Sequence, residues 1–149
     1  MFRLLFILVL SGIFSCAQHI EQPPPLSIPA TPPPATLHAA DIQLESVVVT
    51  AAPLRVQFAE PLFNPGAVLP RPVMLRQLTQ WFDFLQQKPK SFWRLEVVAA
   101  ATETTDPAAL ATARIDILRR LLERHGLSLA RFEFTRATSA TSSVIFYLK

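Results

Sequence analysis

The sequence is short of the residues on which several kinds of chemistry depend. A single cysteine excludes an internal disulfide and any zinc site built on paired thiolates. Three glycines in all leave no glycine-rich loop to cradle a phosphate, and no G-x-S-x-G stretch presents a nucleophilic serine. The three histidines, His19, His38 and His125, lie far apart and lack metal-ligand spacing. No resident metal or other cofactor is therefore implied, and the chain reads as non-enzymatic. No apolar run approaches the roughly 20 residues that a membrane-spanning helix requires. Basic residues outnumber acidic ones by only 14 to 11, for a net charge of +3, and they are scattered along the chain. A nucleic-acid groove needs a concentrated basic face, so nucleic acid is not an expected partner. A length of 149 residues suits one compact domain with appendages.

The lone cysteine lies in the opening stretch MFRLLFILVLSGIFSCAQ. Arg3 followed by the apolar run from Leu4 to Phe14 reads as a secretory signal peptide over residues 1–15. Ile13, Phe14 and Ser15 before Cys16 resemble the bacterial lipobox: a branched apolar residue three before, a small residue one before, then cysteine. The resemblance implies a diacylated thiol at Cys16, cleavage just before it, and acylation of the new amine. Several acyl chains on one residue give stable anchoring, where a single chain binds only marginally. Ala17, rather than aspartate, follows the cysteine, and in this the chain resembles outer-membrane lipoproteins facing the periplasm. The alternative is ordinary signal-peptidase cleavage after Ala17, which Ser15 and Ala17 permit as a small-x-small site.

Residues 16–40 carry two triple prolines and almost no charge, a composition that favours extended polyproline II over any packed element. At roughly 3.1 Å per residue such a linker spans on the order of 70 Å. The bland reading is a stiff spacer; the functional alternative is a proline motif read by a partner domain. His19 and His38 are read as solvated.

From about Asp41 the pattern alternates between strand and helix periods. LESVVVTA and LRVQFAE are rich in β-branched and aromatic residues, with Pro53 between them, and read as one interrupted strand or two short ones. PLFNPGAVLPRP is a loop. From Val73 to Gln87, Leu75, Leu78, Phe82 and Leu85 recur at helical spacing, widened by Met74 and Trp81. WRLEVVAAA is a strand by composition. Asp106–Pro107 forms a cap and first-turn pair, and Gly126 a stop, which predicts a helix from Pro107 to His125. RFEFTRA and SSVIFYLK close the domain as strands. The order predicts an α+β, two-layer sandwich over residues 41–149, with helices on one face of a mixed sheet.

VQFAEPLFNPGAVL, an amphipathic helix, LEVVAAATETTD, a helix containing LATARIDILRRLLERHGL, and ARFEF resemble, in that order, the OmpA-like periplasmic domain over roughly Val56 to Leu148. With lipobox and spacer, the architecture is similar to that of peptidoglycan-associated lipoproteins. The resemblance implies binding of a cell-wall diamino acid by an acidic residue after a strand and an arginine in the following helix. Arg114 occupies the arginine position of the pattern L-x-x-x-R. The usual G-H-T-D turn is replaced by AATE: Thr102 is kept, Glu103 stands for aspartate, and the glycine is missing. The loop to the helix is shorter, Pro107 replaces an asparagine, and Ser142 and Ser143 replace paired arginines. Thr102, Glu103 and Arg114 are the candidate peptidoglycan-binding residues.

The helical pattern says something separate about Arg114. At about 100° per residue, Leu110, Ile117 and Leu121 share a narrow arc, and Arg114 falls inside it. An arginine aimed at a sheet is costly to bury unless it meets a carboxylate or snorkels past the edge. Two function classes remain. One is a structural or tethering subunit of a trans-envelope assembly (secretion, conjugation or pilus machine) that contacts other envelope proteins and has weak or lost glycan binding. The other is a true anchor between outer membrane and peptidoglycan.

Overall fold

The computed structural model describes residues 37–149. The expected signal peptide, the candidate lipidation site Cys16 and the expected proline linker lie outside the described residues. Among the described residues five strands and two α-helices follow one another, with short 3-10 turns at Ala39–Asp41 and Leu129–Arg131: β1 (Val47–Ala51), β2 (Leu54–Phe58), α1 (Pro72–Gln87), β3 (Trp93–Ala100), α2 (Pro107–Arg124), β4 (Phe132–Ser139) and β5 (Ser143–Leu148). The α+β sandwich expected from the pattern is the one observed. The first β segment resolves into two strands, a hairpin turning at Ala52–Pro53, with Val47 opposite Phe58 and Ala51 opposite Leu54.

The sheet order is β1-β2-β5-β3-β4. β3 and β4 are parallel, joined by the α2 crossover, and the other pairs are antiparallel. The last strand in the chain is thus the central strand of the sheet. Alternation along the strands assigns the two faces. Trp93, Leu95, Val97 and Ala99 of β3 are fully buried and share one cluster with Val56, Phe58, Val144 and Phe146 and with the apolar faces of both helices. The opposite face carries polar groups. There the Arg94 guanidinium lies 4.5 Å from the Tyr147 ring centroid, and the Tyr147 hydroxyl donates to Glu96 at 3.4 Å.

α1 begins at Pro72, whose missing N–H costs nothing in a first turn. It buries Met74, Leu78, Trp81, Phe82 and Leu85. Leu75, expected within the stripe, is 40% exposed, because the 4-3-4 spacing of 74, 78, 81 and 85 sets the centre of the face one ridge away. Trp81 anchors the layer, with ring centroids 5.4 Å from Trp93 and 5.3 Å from Phe146, both edge-on. Such pairs add about 0.5–1.5 kcal/mol each beyond area burial.

The helix ends are closed by side chains and turns. The last carbonyls of α1 have no intrahelical donors, and Arg131 supplies them from across the fold: Nη2 donates to Leu85 O at 3.0 Å and Lys88 O at 2.7 Å, and Nε to Ser91 O at 3.1 Å. Partial burial lowers the Arg131 pKa from the ordinary arginine range. α2 is capped by Asp106, whose Oδ1 accepts from Ala109 N at 2.9 Å. It stops in a Schellman motif at Gly126 (φ +78°), with Gly126 N to Glu123 O and Leu127 N to Leu122 O both 2.9 Å. His125 caps the helix and meets Asp83 of α1, Nε2 to Oδ1, at 2.8 Å. His38 is exposed, and Leu37 packs against the core. No helix among the described residues is long and apolar enough to cross a membrane.

Candidate functional site

α2 turns Leu110, Ala111, Arg114, Ile115, Leu118 and Leu122 inward. Ile117 and Leu121, expected to share the centre of the stripe with Arg114, are only half-buried. The centre runs instead through Ala111, Ile115, Leu118 and Leu122, at the 4-3-4 spacing that also governs α1. Arg114 is nevertheless completely buried, 0% exposed.

Its partners come from three loops at one end of the sheet. The first is the loop between β2 and α1, pinned at its base by the Phe63–Pro70 bridge and by Arg71 N to Leu62 O at 2.9 Å. Within it, Asn64-Pro65-Gly66-Ala67 makes a β-turn closed by Ala67 N to Asn64 O at 3.0 Å. Proline second and a positive-φ glycine third (Gly66, φ +69°) mark it as type II. This turn aims two carbonyls at the guanidinium: Arg114 Nε donates to Ala67 O at 2.8 Å and Nη2 to Asn64 O at 3.1 Å. Phe63 lies beneath, its ring centroid 4.7 Å from the guanidinium carbon, within cation–π range.

The second loop follows β3. Ala100 to Glu103 closes as a turn through Glu103 N to Ala100 O at 3.1 Å. Among the described residues only Gly66 and Gly126 have positive φ, so this turn closes without the glycine that the resemblance led one to expect. It delivers Glu103, whose side chain is 8% exposed, with Oε2 2.8 Å from Arg114 Nη2. Oε2 has no aligned hydrogen bond among the described residues; the contact is one of charge and proximity. Thr102 is exposed, and its hydroxyl makes no hydrogen bond among the described residues. Of the three candidates, the structure brings together Glu103 and Arg114 and leaves Thr102 outside.

The third loop contributes Ser142, just before β5. Its Oγ accepts from Arg114 Nη1 at 3.2 Å and from Ala100 N at 2.8 Å, tying the end of β3 to the arginine. The serine that replaces one of the expected arginines is therefore part of the cluster. The sequence marked position 142 as a departure from the family pattern and could not show that its hydroxyl faces Arg114. The carbonyls of Asn64 and Ala67 were missed because backbone acceptors have no sequence signature; the only trace was the Asn-Pro-Gly turn itself.

The guanidinium is engaged from within the fold, although Glu103 Oε2 makes no aligned hydrogen bond among the described residues. An arginine offers five donors in a fixed fork, and here two carbonyls, a hydroxyl and a carboxylate face them. The guanidinium has no exposed surface on which a ligand carboxylate could land. A cavity of about 190 Å³ lies alongside, lined by Phe58, Leu62, Ser142 and Val144 among others, and neither Arg114 nor Glu103 lines it. It is smaller than the roughly 300 Å³ at which small-molecule sites begin. Among the described residues no group of three or more His, Cys, Asp or Glu side chains could hold a metal ion.

No protein-family model matches the chain, and no curated protein matches it in sequence. Solved structures do. A MotB-like protein from Desulfovibrio vulgaris is similar with a TM-score of 0.57 and 19% identity, over 69% of this chain and 76% of its own. The periplasmic domain of Helicobacter pylori MotB gives 0.59 and 13% over 76% and 85%. The cell wall anchor of the T6SS from Pseudomonas aeruginosa gives 0.56 and 18% over 74% and 92%. The likeness is one of fold. The chain has the α+β fold of OmpA-like and MotB periplasmic domains.

Proposed function

We propose that this protein is a non-catalytic structural subunit of the bacterial cell envelope. It is held in the outer membrane by lipid on Cys16, reaches into the periplasm on its proline spacer, and works within a trans-envelope assembly through protein contacts. The observation that carries this reading is the buried Arg114–Glu103 pair. In the resemblance, the arginine takes the carboxylate of a cell-wall diamino acid. Here the fork is filled from within, and a glycan would have to displace Glu103 and break hydrogen bonds to Ala67, Asn64 and Ser142 before it could bind. Ligand binding that must first break buried, charge-assisted contacts is weakened by their full cost. The fold likeness to a T6SS cell wall anchor supports an envelope role in either reading.

The test is sedimentation of Ala17–Lys149 with insoluble peptidoglycan. No retention above a control protein is expected. Retention that free diaminopimelate competes away, and that Arg114→Ala removes, would overturn the closed-site reading in favour of a wall anchor. The lipid anchor has its own measurement. Cells expressing the whole chain should incorporate labelled fatty acid into it, and Cys16→Ser should not; a mature chain beginning at Gln18 would defeat the anchor.

A further inference from the structure

The five-stranded sheet ends in two edges, β1 and β4, and they are differently guarded. β4 carries Glu133 and Arg136, both exposed, and charges along an edge deter pairing with another chain. β1 reads Val-Val-Val-Thr-Ala, with no charge, proline or glycine.

The register against β2 fixes which backbone groups of β1 face outward. Ala59 N donates to Ser46 O at 2.9 Å, one step beyond the Val47–Phe58 pair. Hydrogen-bonded and non-hydrogen-bonded pairs alternate along an antiparallel ladder. Val48 and Thr50 therefore turn their N–H and C=O groups to β2, while Val47, Val49 and Ala51 turn theirs away from it, the Val47 N–H to Leu44 O at 3.4 Å and its C=O to the open edge. β2 is the one strand that β1 pairs with among the described residues. On the sheet face opposite the helices, Val48 is 58% exposed.

We propose that the outer edge of β1 is a self-association site, pairing antiparallel with β1 of a second copy about a two-fold axis at Val49. Outward-facing residues must meet outward-facing residues, and each copy must keep its helices on the same side of the joined sheet. Full overlap of the five residues then sets Val49 against the partner's Val49, Val47 against the partner's Ala51, and Val48 against the partner's Thr50. The last is a non-hydrogen-bonded pair, the closer kind, and joins two β-branched side chains that favour each other across strands. No like charges meet: Glu45 falls opposite the partner's Pro53.

A second observation favours another copy of this chain over an unrelated strand. The same register lays the partner's exposed Ala52–Pro53 turn beside residues 43–46. Those residues form one wall of a groove of about 710 Å³ whose other wall is α1, including Val73 and Gln77. Val73 is 64% exposed there, and Ser46 Oγ and Gln77 Oε1 are shielded from solvent without a hydrogen-bond partner among the described residues. The groove thus stands where the partner's turn would arrive, with an apolar residue for the proline to cover.

Ala17–Lys149 contains every described element and no cysteine, so it serves for the test. Sedimentation velocity over a roughly hundredfold concentration range should show a reversible monomer–dimer equilibrium. Val48→Glu with Thr50→Glu places like charges opposite each other across the axis and should weaken association at least about tenfold. Val48→Lys with Thr50→Glu should restore it, circular dichroism showing all variants folded. Val48→Cys chains mixed with Thr50→Cys chains should cross-link to each other faster than either does to itself. A monomer at every concentration, a dimer indifferent to the paired glutamates, or cross-linking without preference for the 48–50 combination would each overturn the proposal.

Discussion

Glu103 Oε2 stands 2.8 Å from Arg114 Nη2, with one side chain 8% exposed and the other wholly buried. A carboxylate from the turn after β3 thus neutralises an arginine in the apolar face of α2. Removing one partner of a buried pair strands the other, at about 3–5 kcal/mol.

That relationship changes the expectation for Arg114→Leu. If Arg114 and Glu103 paired only with each other, an apolar residue at position 114, within the apolar stripe, would be expected to be neutral or stabilising. The structure reverses the sign, because Ala67 O, Asn64 O and Ser142 Oγ lose a donor and the Glu103 carboxylate loses its counter-charge at once. We expect Arg114→Leu to destabilise by about 3–5 kcal/mol, read as a lowered urea midpoint with unchanged slope. Arg114→Leu combined with Glu103→Leu should recover part of the loss, and that recovery in a double-mutant cycle measures the pair. A neutral Arg114→Leu would mean that the buried cluster contributes nothing to stability.

How much of this could be read in the sequence depends on how local each signal is. Asp106–Pro107 and Gly126 announced the ends of α2 because caps act through neighbouring backbone. The arc through Leu110, Ile117 and Leu121 set Arg114 on the inward side of α2 but missed the centre of the buried face, which runs through Ala111, Ile115, Leu118 and Leu122. The central place of β5 was not readable, since sheet order is set by contacts between residues far apart in the chain. Glu103 was expected to face a ligand because the resemblance made it a candidate peptidoglycan-binding residue. That it faces Arg114 instead depends on how the β3–α2 turn folds over, which the residues of that turn do not encode alone.

Arg131 is a second structural arginine, and it was not singled out in the sequence. It holds the carbonyls of Leu85, Lys88 and Ser91, so Arg131→Ala should cost about 1–3 kcal/mol. Arg131→Lys should recover less than half, because a point charge cannot serve three diverging acceptors as a planar fork does. Hydrogen exchange should localise the loosening to the last turn of α1. Uniform loosening across the sheet would show that Arg131 does something other than cap that helix.

Gly66 ties two of the three loops together. Its φ of +69° is one that L side chains rarely adopt, and an added Cβ would sit 3.3 Å from Glu103 O. Gly66→Ala should therefore destabilise by about 1–2 kcal/mol from the left-handed backbone alone, with a further loss if the Glu103 turn is pushed aside. Thermal melts give the size of the effect. Gly66→Asn, better suited to positive φ, should separate backbone strain from steric contact: it relieves the first and keeps the second.

If Glu103 fills the place where the resemblance would put a ligand carboxylate, its removal should create a site that a small carboxylate can refill. Glu103→Ala leaves Arg114 buried beside a void of about the volume of acetate, with its Nη2 charge uncompensated. A ligand that binds only the folded state stabilises by RT ln(1 + [L]/Kd). The melting temperature of Glu103→Ala should thus rise with acetate concentration, above the rise that an equal ionic strength of chloride gives. Wild type should show no such difference, since its fork is already occupied. Diaminopimelate offers the same carboxylate on a larger body and separates two cases. If it rescues Glu103→Ala as acetate does, the route by which a cell-wall residue would enter is still open and Glu103 alone blocks it. If acetate rescues and diaminopimelate does not, the Asn64–Ala67 turn and Ser142 have closed that route as well. Equal response of wild type and variant to acetate would show that Glu103 does not occupy a carboxylate site at all.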